Sequence, residues 1–119
     1  MKDFRSLEVW QVSQRVALEI YRLTSSFPVE EKFGLTAQLR RAGVSVSANL
    51  AEGCGRAGDA ELARFVQIAF GSACELECQL LLAKDLGFIP LNYHREIEQT
   101  VILLKKMLAG FLKKLKADR

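Results

Sequence analysis

Gly53, Gly55 and Gly58 spell G-x-G-x-x-G, and Val44-Ser45-Val46-Ser47 just ahead of them alternates like a half-buried strand. A strand, a glycine turn and a helix in that order would seat a pyrophosphate on a helix N-terminus, the chemistry of a dinucleotide site. Such a site also needs a second strand ending in an acid about 20 residues further on. Glu75 and Glu77 lie near that distance but inside a long helical pattern. Cys54, Cys74 and Cys78 with His94 form the other set with ligand chemistry, formally four donors for a metal. Cys74 and Cys78 are one helical turn apart rather than C-x-x-C, and the spacing fits no metal pattern. Buried thiols acting as small hydrophobes are the expectation.

Neither G-x-S-x-G, H-E-x-x-H nor a Walker loop is present. His94, the single histidine, is expected as an exposed polar residue in the first turn of a last helix. Glu77 falls at the edge of an apolar seam, where a carboxylate needs a partner. An internal ion pair with Arg40 or Arg41 is expected there. The sequence therefore predicts neither an enzyme nor a cofactor or metal site.

Charge placement offers a different chemistry. Lys105, Lys106, Lys113, Lys114 and Lys116 occupy the arc of the last helix opposite its apolar stripe, with Arg119 at the margin. Such a cluster attracts phosphates without reading sequence. Arg56 and Arg64 around the glycine loop are the next candidates. No aromatic residues interleave with the lysines for base stacking, so sequence-specific readout is not expected. The bland alternative is a solvated lysine-rich face.

Four helices must position these groups. The first is predicted over Leu7 to Ser25, with Ser6 as N-cap and Val9, Val12, Val16, Ile20 and Leu23 recurring at threes and fours. Trp10, Ala17 and Tyr21 widen that face, and Phe27-Pro28 ends the helix. After an acidic turn, Leu35, Leu39, Ala42, Val46 and Leu50 form one continuous stripe, which outlasts the strand-like alternation within it. Gly53 and Gly55 are read as helix stops.

Ala37, Val44, Ala48 and Ala51 gather on the opposite side of this second helix, and Arg41, Ser45, Asn49 and Glu52 on one flank. Asp59 is the expected N-cap of a third helix. Its body, Leu62 to Leu86, carries Leu62, Val66, Ala69, Ala73, Leu76, Leu80 and Ala83 in heptad steps, broadened by Phe65, Ile68 and Phe70. Gly87 and Pro90 stop it. The fourth helix starts near Leu91 or Asn92 and buries Ile97, Val101, Leu104, Leu108, Phe111 and Leu115.

Short connections make consecutive helices antiparallel. The fold expected is all-α, an up-down-up-down left-handed four-helix bundle forming a single domain over residues 1–119. The second apolar face of helix two, with Leu103 and Met107 off the main stripe of helix four, is surplus to such a core and predicts self-association.

Composition agrees with a globular chain: 119 residues, half of them hydrophobic, net charge +3. No run approaches the ~18 uncharged apolar residues of a membrane span, and the mixed-charge start Met1-Lys2-Asp3-Phe4-Arg5 does not read as a secretory signal. Three cysteines suit a reducing compartment, and a cytoplasmic location without membrane association is expected.

Gln38-Leu39-Arg40-Arg41-Ala42, Ser45 to Arg56 (SVSANLAEGCGR) and Phe65 to Glu77 (FVQIAFGSACELE) together resemble the 23S ribosomal RNA intervening-sequence, or S23-type, proteins of bacteria. Val9-Trp10-Gln11 and the Phe27-to-Phe33 turn extend the likeness over essentially the whole chain. The resemblance implies a four-helix bundle assembled as a ring-like homopentamer. It also implies kinship with the accessory variability determinant of diversity-generating retroelements, a nucleic-acid-binding partner of a reverse transcriptase. It brings no established activity. Together with the lysine arc, it leads to the expectation of a nucleic-acid-associated accessory protein contacting RNA or DNA backbones. A protein-interaction scaffold is the competing expectation.

Overall fold

The computed structural model describes residues 2–117. They form four helices, α1 (Glu8–Thr24), α2 (Leu35–Cys54), α3 (Asp59–Asp85) and α4 (Leu91–Ala117), with 3-10 turns at Phe4–Ser6 and Val29–Glu31. The apolar stripes read from periodicity are the buried faces. Leu39, Ala42, Val46 and Leu50 of α2 are fully enclosed, as are Val66, Ala69, Ala73 and Leu76 of α3 and Val101, Leu104 and Leu108 of α4.

Pairings across the helices fix their direction. Arg41 meets Glu75 and Ser45 meets Ser72, while a β-carbon on Gly53 would meet Phe65, so α2 and α3 run antiparallel. Thr24 with Arg40 and Ile20 with Gly43 give the same relation for α1 and α2, as do Glu77 with Lys105 and Phe70 with Ala109 and Leu112 for α3 and α4. α1 also packs on α4, whereas among the described residues no α-carbons of α2 and α4, or of α1 and α3, come within 8 Å of one another. The section is a square in which α2 and α4 hold opposite corners. The body measures 45 × 23 × 20 Å.

Several helix ends differ from expectation. Ser6 does not cap α1, because its hydroxyl donates to the Asp3 carbonyl at 2.7 Å inside the preceding 3-10 turn; Leu7 takes the cap position without a side-chain bond. α2 opens at Gly34, and the Glu31 carboxylate accepts the Leu35 N–H at 3.1 Å. Gly53 is not a stop: it is a buried residue of the last turn of α2. Gly55 is the C-cap but keeps an ordinary right-handed conformation, φ −81°.

The reversal into α3 falls to Gly58, with φ 86° and ψ 155°, a region open essentially to glycine alone. Gly58 is the cap residue, and Asp59 begins α3 with its carboxylate at the positive end of the helix. At the far end of α3 the Phe88 N–H reaches the Ala83 carbonyl and the Gly87 N–H reaches that of Lys84, both at 2.9 Å. With Gly87 at φ 80°, this is a Schellman closure.

Some outward turns also differ. Ile68 and Tyr21, expected to widen buried faces, are exposed. His94 is buried rather than exposed, its Nε2 without a hydrogen-bond partner among the described residues and 3.9 Å from the Glu98 carboxylate. Of the cysteines only Cys54 is buried, and burial pushes its thiol pKa up; Cys74 is half-buried and Cys78 exposed. α3 is long and apolar enough, by length and composition, to match a membrane span. Its seam is turned into the bundle, as expected of a core helix.

Candidate nucleic-acid and subunit interfaces

The glycine stretch holds no phosphate cradle. Helix α2 runs unbroken through Val44–Ser47, where the dinucleotide reading needs a strand. The cavity beside Gly53, Gly58 and Asp59 is only about 30 Å³, against the hundreds that small-molecule sites occupy. Gly53 serves packing instead. A β-carbon there would lie 2.8 Å from the Phe65 β-carbon and 2.9 Å from Leu62 Cδ1, so α2 and α3 close tightly at this point.

The lysine arc is divided by the structure. Lys105 turns back to α3, where its ammonium donates to Glu77 Oε1 at 2.7 Å and sits 5.8 Å from the Phe70 ring centre. Its pKa is raised, first by that hydrogen bond. Glu77 thus does have an internal partner, but it is Lys105 and not Arg40 or Arg41. Arg41 pairs with Glu75 at 3.1 Å. Arg40 has no carboxylate among the described residues; its Nε donates to Thr24 Oγ1 at 2.9 Å and its guanidinium stacks 4.5 Å from the Tyr21 ring centre.

Lys106, Lys113, Lys114 and Lys116 stay exposed on α4 and take part in no ion pair among the described residues. Beneath Lys106, Lys113 and Lys116 runs an apolar groove floored by Phe70, Ile102, Ala109 and Leu112, in two adjoining hollows of about 280 and 290 Å³. Arg119 lies outside the described residues. Arg56 pairs with Glu52 at 2.9 Å and Arg64 with Glu61 at 3.7 Å, and both guanidiniums lie over Phe65. Those two arginines carry much of their charge already compensated.

The residues assigned to self-association are at the surface. Ala37 and Ala48 are exposed, Val44 is 42% exposed and Ala51 half-buried, all on one face of α2. Leu103 is 50% exposed, while Met107 packs partly against the core. The two sets sit on opposite corners of the square, since α2 and α4 are diagonal neighbours with no α-carbons within 8 Å among the described residues.

Sequence reading does not reveal one cluster. Tyr21 from α1, Lys32 and Phe33 from the turn, and Arg40 from α2 converge on a groove of about 640 Å³. Only their types are visible in the sequence. Their convergence needs the turn between α1 and α2 to fold back beside both helices.

The profile of the 23S rRNA-intervening sequence protein family matches residues 5–110. No curated protein sequence matches the chain significantly. Among solved structures, one of a protein of unknown function from the S23 ribosomal protein family of Bacteroides thetaiotaomicron superposes with a TM-score of 0.79. That likeness spans 88% of this chain and 98% of the other at 24% identity, and so speaks for the shared fold alone. With a profile match across nearly the whole bundle, the chain belongs to the 23S rRNA-intervening sequence protein family.

Proposed function

We propose that this chain acts without catalysis or cofactor, as a homo-oligomeric cytoplasmic bundle that holds RNA or DNA by the sugar-phosphate backbone. The observation supporting this is the row of Lys106, Lys113, Lys114 and Lys116, exposed along the second half of α4 with no carboxylate bound among the described residues. Unpaired ammonium groups on one helix face attract phosphates, and releasing the nucleic acid's counterions drives binding. Assembly multiplies the effect. A ring requires two different patches per copy, each meeting the other on a neighbour. The α2 face around Ala48 and Ala51, beyond the groove that Ala37 and Val44 line, and the α4 face around Leu103 are two such patches on opposite corners. The pentamer implied by resemblance would display five lysine rows, raising avidity with no new contact.

The test replaces Lys106, Lys113 and Lys116 by glutamine, which has similar helix propensity. Helicity and assembly hold. Affinity for two unrelated RNAs and a duplex DNA falls by a similar factor, because phosphate contacts carry no sequence information. The salt dependence becomes shallower. Anisotropy titrations at several salt concentrations read both quantities, and a wild type that binds nothing at low salt overturns the reading. A second reading, a protein scaffold, draws on the apolar floor of Phe70, Ile102, Ala109 and Leu112 under those lysines, which suits the apolar face of a partner helix. Binding of that kind, mainly apolar, would change little with salt.

A further inference from the structure

The exposed rings beside the turn between α1 and α2 are not accounted for by packing within the chain. Phe33 is 89% exposed and Tyr21 46%. Each ring has one cation against it: Lys32 Nζ lies 5.4 Å from the Phe33 centre and the Arg40 guanidinium 4.5 Å from that of Tyr21. The groove they line, about 640 Å³, also takes Arg41, and no carboxylate among the described residues lines it. Of the acids near the groove, Glu75 pairs with Arg41, and Glu31 turns its carboxylate to the Leu35 N–H while keeping its charge.

Arg40 is held in place without being neutralised. Thr24 Oγ1 accepts from its Nε at 2.9 Å and the Tyr21 carbonyl accepts from Nη2 at 3.4 Å. The other guanidinium N–H groups make no hydrogen bond among the described residues, and a planar fork of this kind suits phosphate oxygens. An exposed aromatic ring beside a fixed, uncompensated guanidinium is the pairing that unpaired nucleotides use: base on ring, phosphate on cation. A duplex hides its base faces, so such rings favour single strands.

We propose that this groove binds single-stranded nucleic acid, with a base stacked on Phe33 and the adjoining phosphate on Arg40 and Lys32. The inference rests on the nucleic-acid reading above and adds a site chemically unlike the lysine row of α4. Because α1 and α2 meet here at the end of the bundle away from the C-terminal half of α4, the two sites are separable by mutation.

The experiment uses the full chain and three labelled strands of about 12 nucleotides, within the span of known single-strand sites. These are oligo(dT), an abasic strand of equal charge, and a duplex, titrated by anisotropy at low salt. Wild type is expected to bind oligo(dT) about fivefold or more tighter than the abasic strand. Phe33→Ala, at a surface position, removes that preference and leaves abasic binding unchanged. Arg40→Gln weakens both single strands, and the glutamine triple of Lys106, Lys113 and Lys116 lowers all three ligands alike.

Equal binding of abasic strand and oligo(dT), or a preference that survives Phe33→Ala, overturns this site while the lysine row still binds. No binding of any strand overturns both readings. Ala37 and Val44 line the same groove, so light scattering accompanies the titration. A changed oligomeric mass in Phe33→Ala would make Phe33 a subunit contact and overturn the assignment.

Discussion

Lys105 Nζ and Glu77 Oε1, 2.7 Å apart, tie α4 to α3 halfway along the bundle. Both side chains are about three-quarters buried, at 28% and 24% relative exposure, so the pair is shielded more than a surface ion pair. A double-mutant cycle with Lys105→Met and Glu77→Gln should give a coupling of about 1 kcal/mol, the upper part of the range for such pairs. Urea unfolding of the four proteins measures it. Lys105→Met should change nucleic-acid affinity less than Lys106→Gln, because Lys105 is already paired.

Stability should fall on the alkaline side in two stages. The Cys54 thiol is held up by burial, and the Lys105 ammonium is held up by its hydrogen bond to Glu77. Both folded pKa values exceed the unfolded ones, so both contributions are complete at neutral pH and are lost as pH rises. Loss from Cys54 begins above about pH 8.5 and from Lys105 above about pH 10.4, their unfolded values. In Cys54→Ala the first stage should vanish and the second remain. Melting curves between about pH 7 and 11, spanning both unfolded values, would show whether the stages separate in this way.

Two glycines should fail for different reasons. Gly53→Ala drives a methyl against Phe65 and Leu62 and should cost about 1–3 kcal/mol by overpacking. Trimming the neighbour, as in Gly53→Ala with Leu62→Val, should recover part of that loss. At Gly58 a β-carbon would meet nothing within 4 Å, and the cost of Gly58→Ala, about 1–3 kcal/mol, is backbone strain alone. No neighbouring substitution should rescue it. Chemical denaturation of the single and double variants separates the two cases.

Ala48→Glu tests assembly. The position is exposed on α2, so the bundle itself should fold with unchanged helicity. A carboxylate in a dry subunit contact is costly, and light scattering should report smaller species than the wild-type oligomer. A wild type that is monomeric at tens of micromolar would remove the ring from the functional reading.

Periodicity carries most of the fold. The seven heptad positions of α3, Leu62 to Ala83, are all buried, and so is the α2 stripe from Leu35 to Leu50. A helical wheel gives the angle of a side chain but not which neighbour stands at that angle. It therefore predicts an internal partner for Glu77 but not its identity, since Lys105 comes from a helix 28 residues later in the chain. The burial of His94 is hidden in the same way, because it comes from packing at the start of α4 and not from the residue's own type. The groove of Tyr21, Phe33 and Arg40 is invisible for that reason too. Glycine stops are harder still: Gly53, Gly55 and Gly58 look alike in sequence, and only the folded backbone separates a packing contact, a plain cap and a reversal.

The square arrangement with α1 packed on α4 has a consequence for the order of the chain. An even number of antiparallel helices brings the start of α1 and the end of α4 to one end of the bundle, where the Gly55–Gly58 connection also lies. A short flexible linker would join the two ends while the chain is opened within that glycine connection, giving the order α3, α4, α1, α2. Circular permutation of this kind succeeds where ends are near one another and the cut falls in an exposed loop. Gly58 would then no longer have to hold its strained reversal, and the cut chain would be relieved of a backbone conformation that glycine alone supplies.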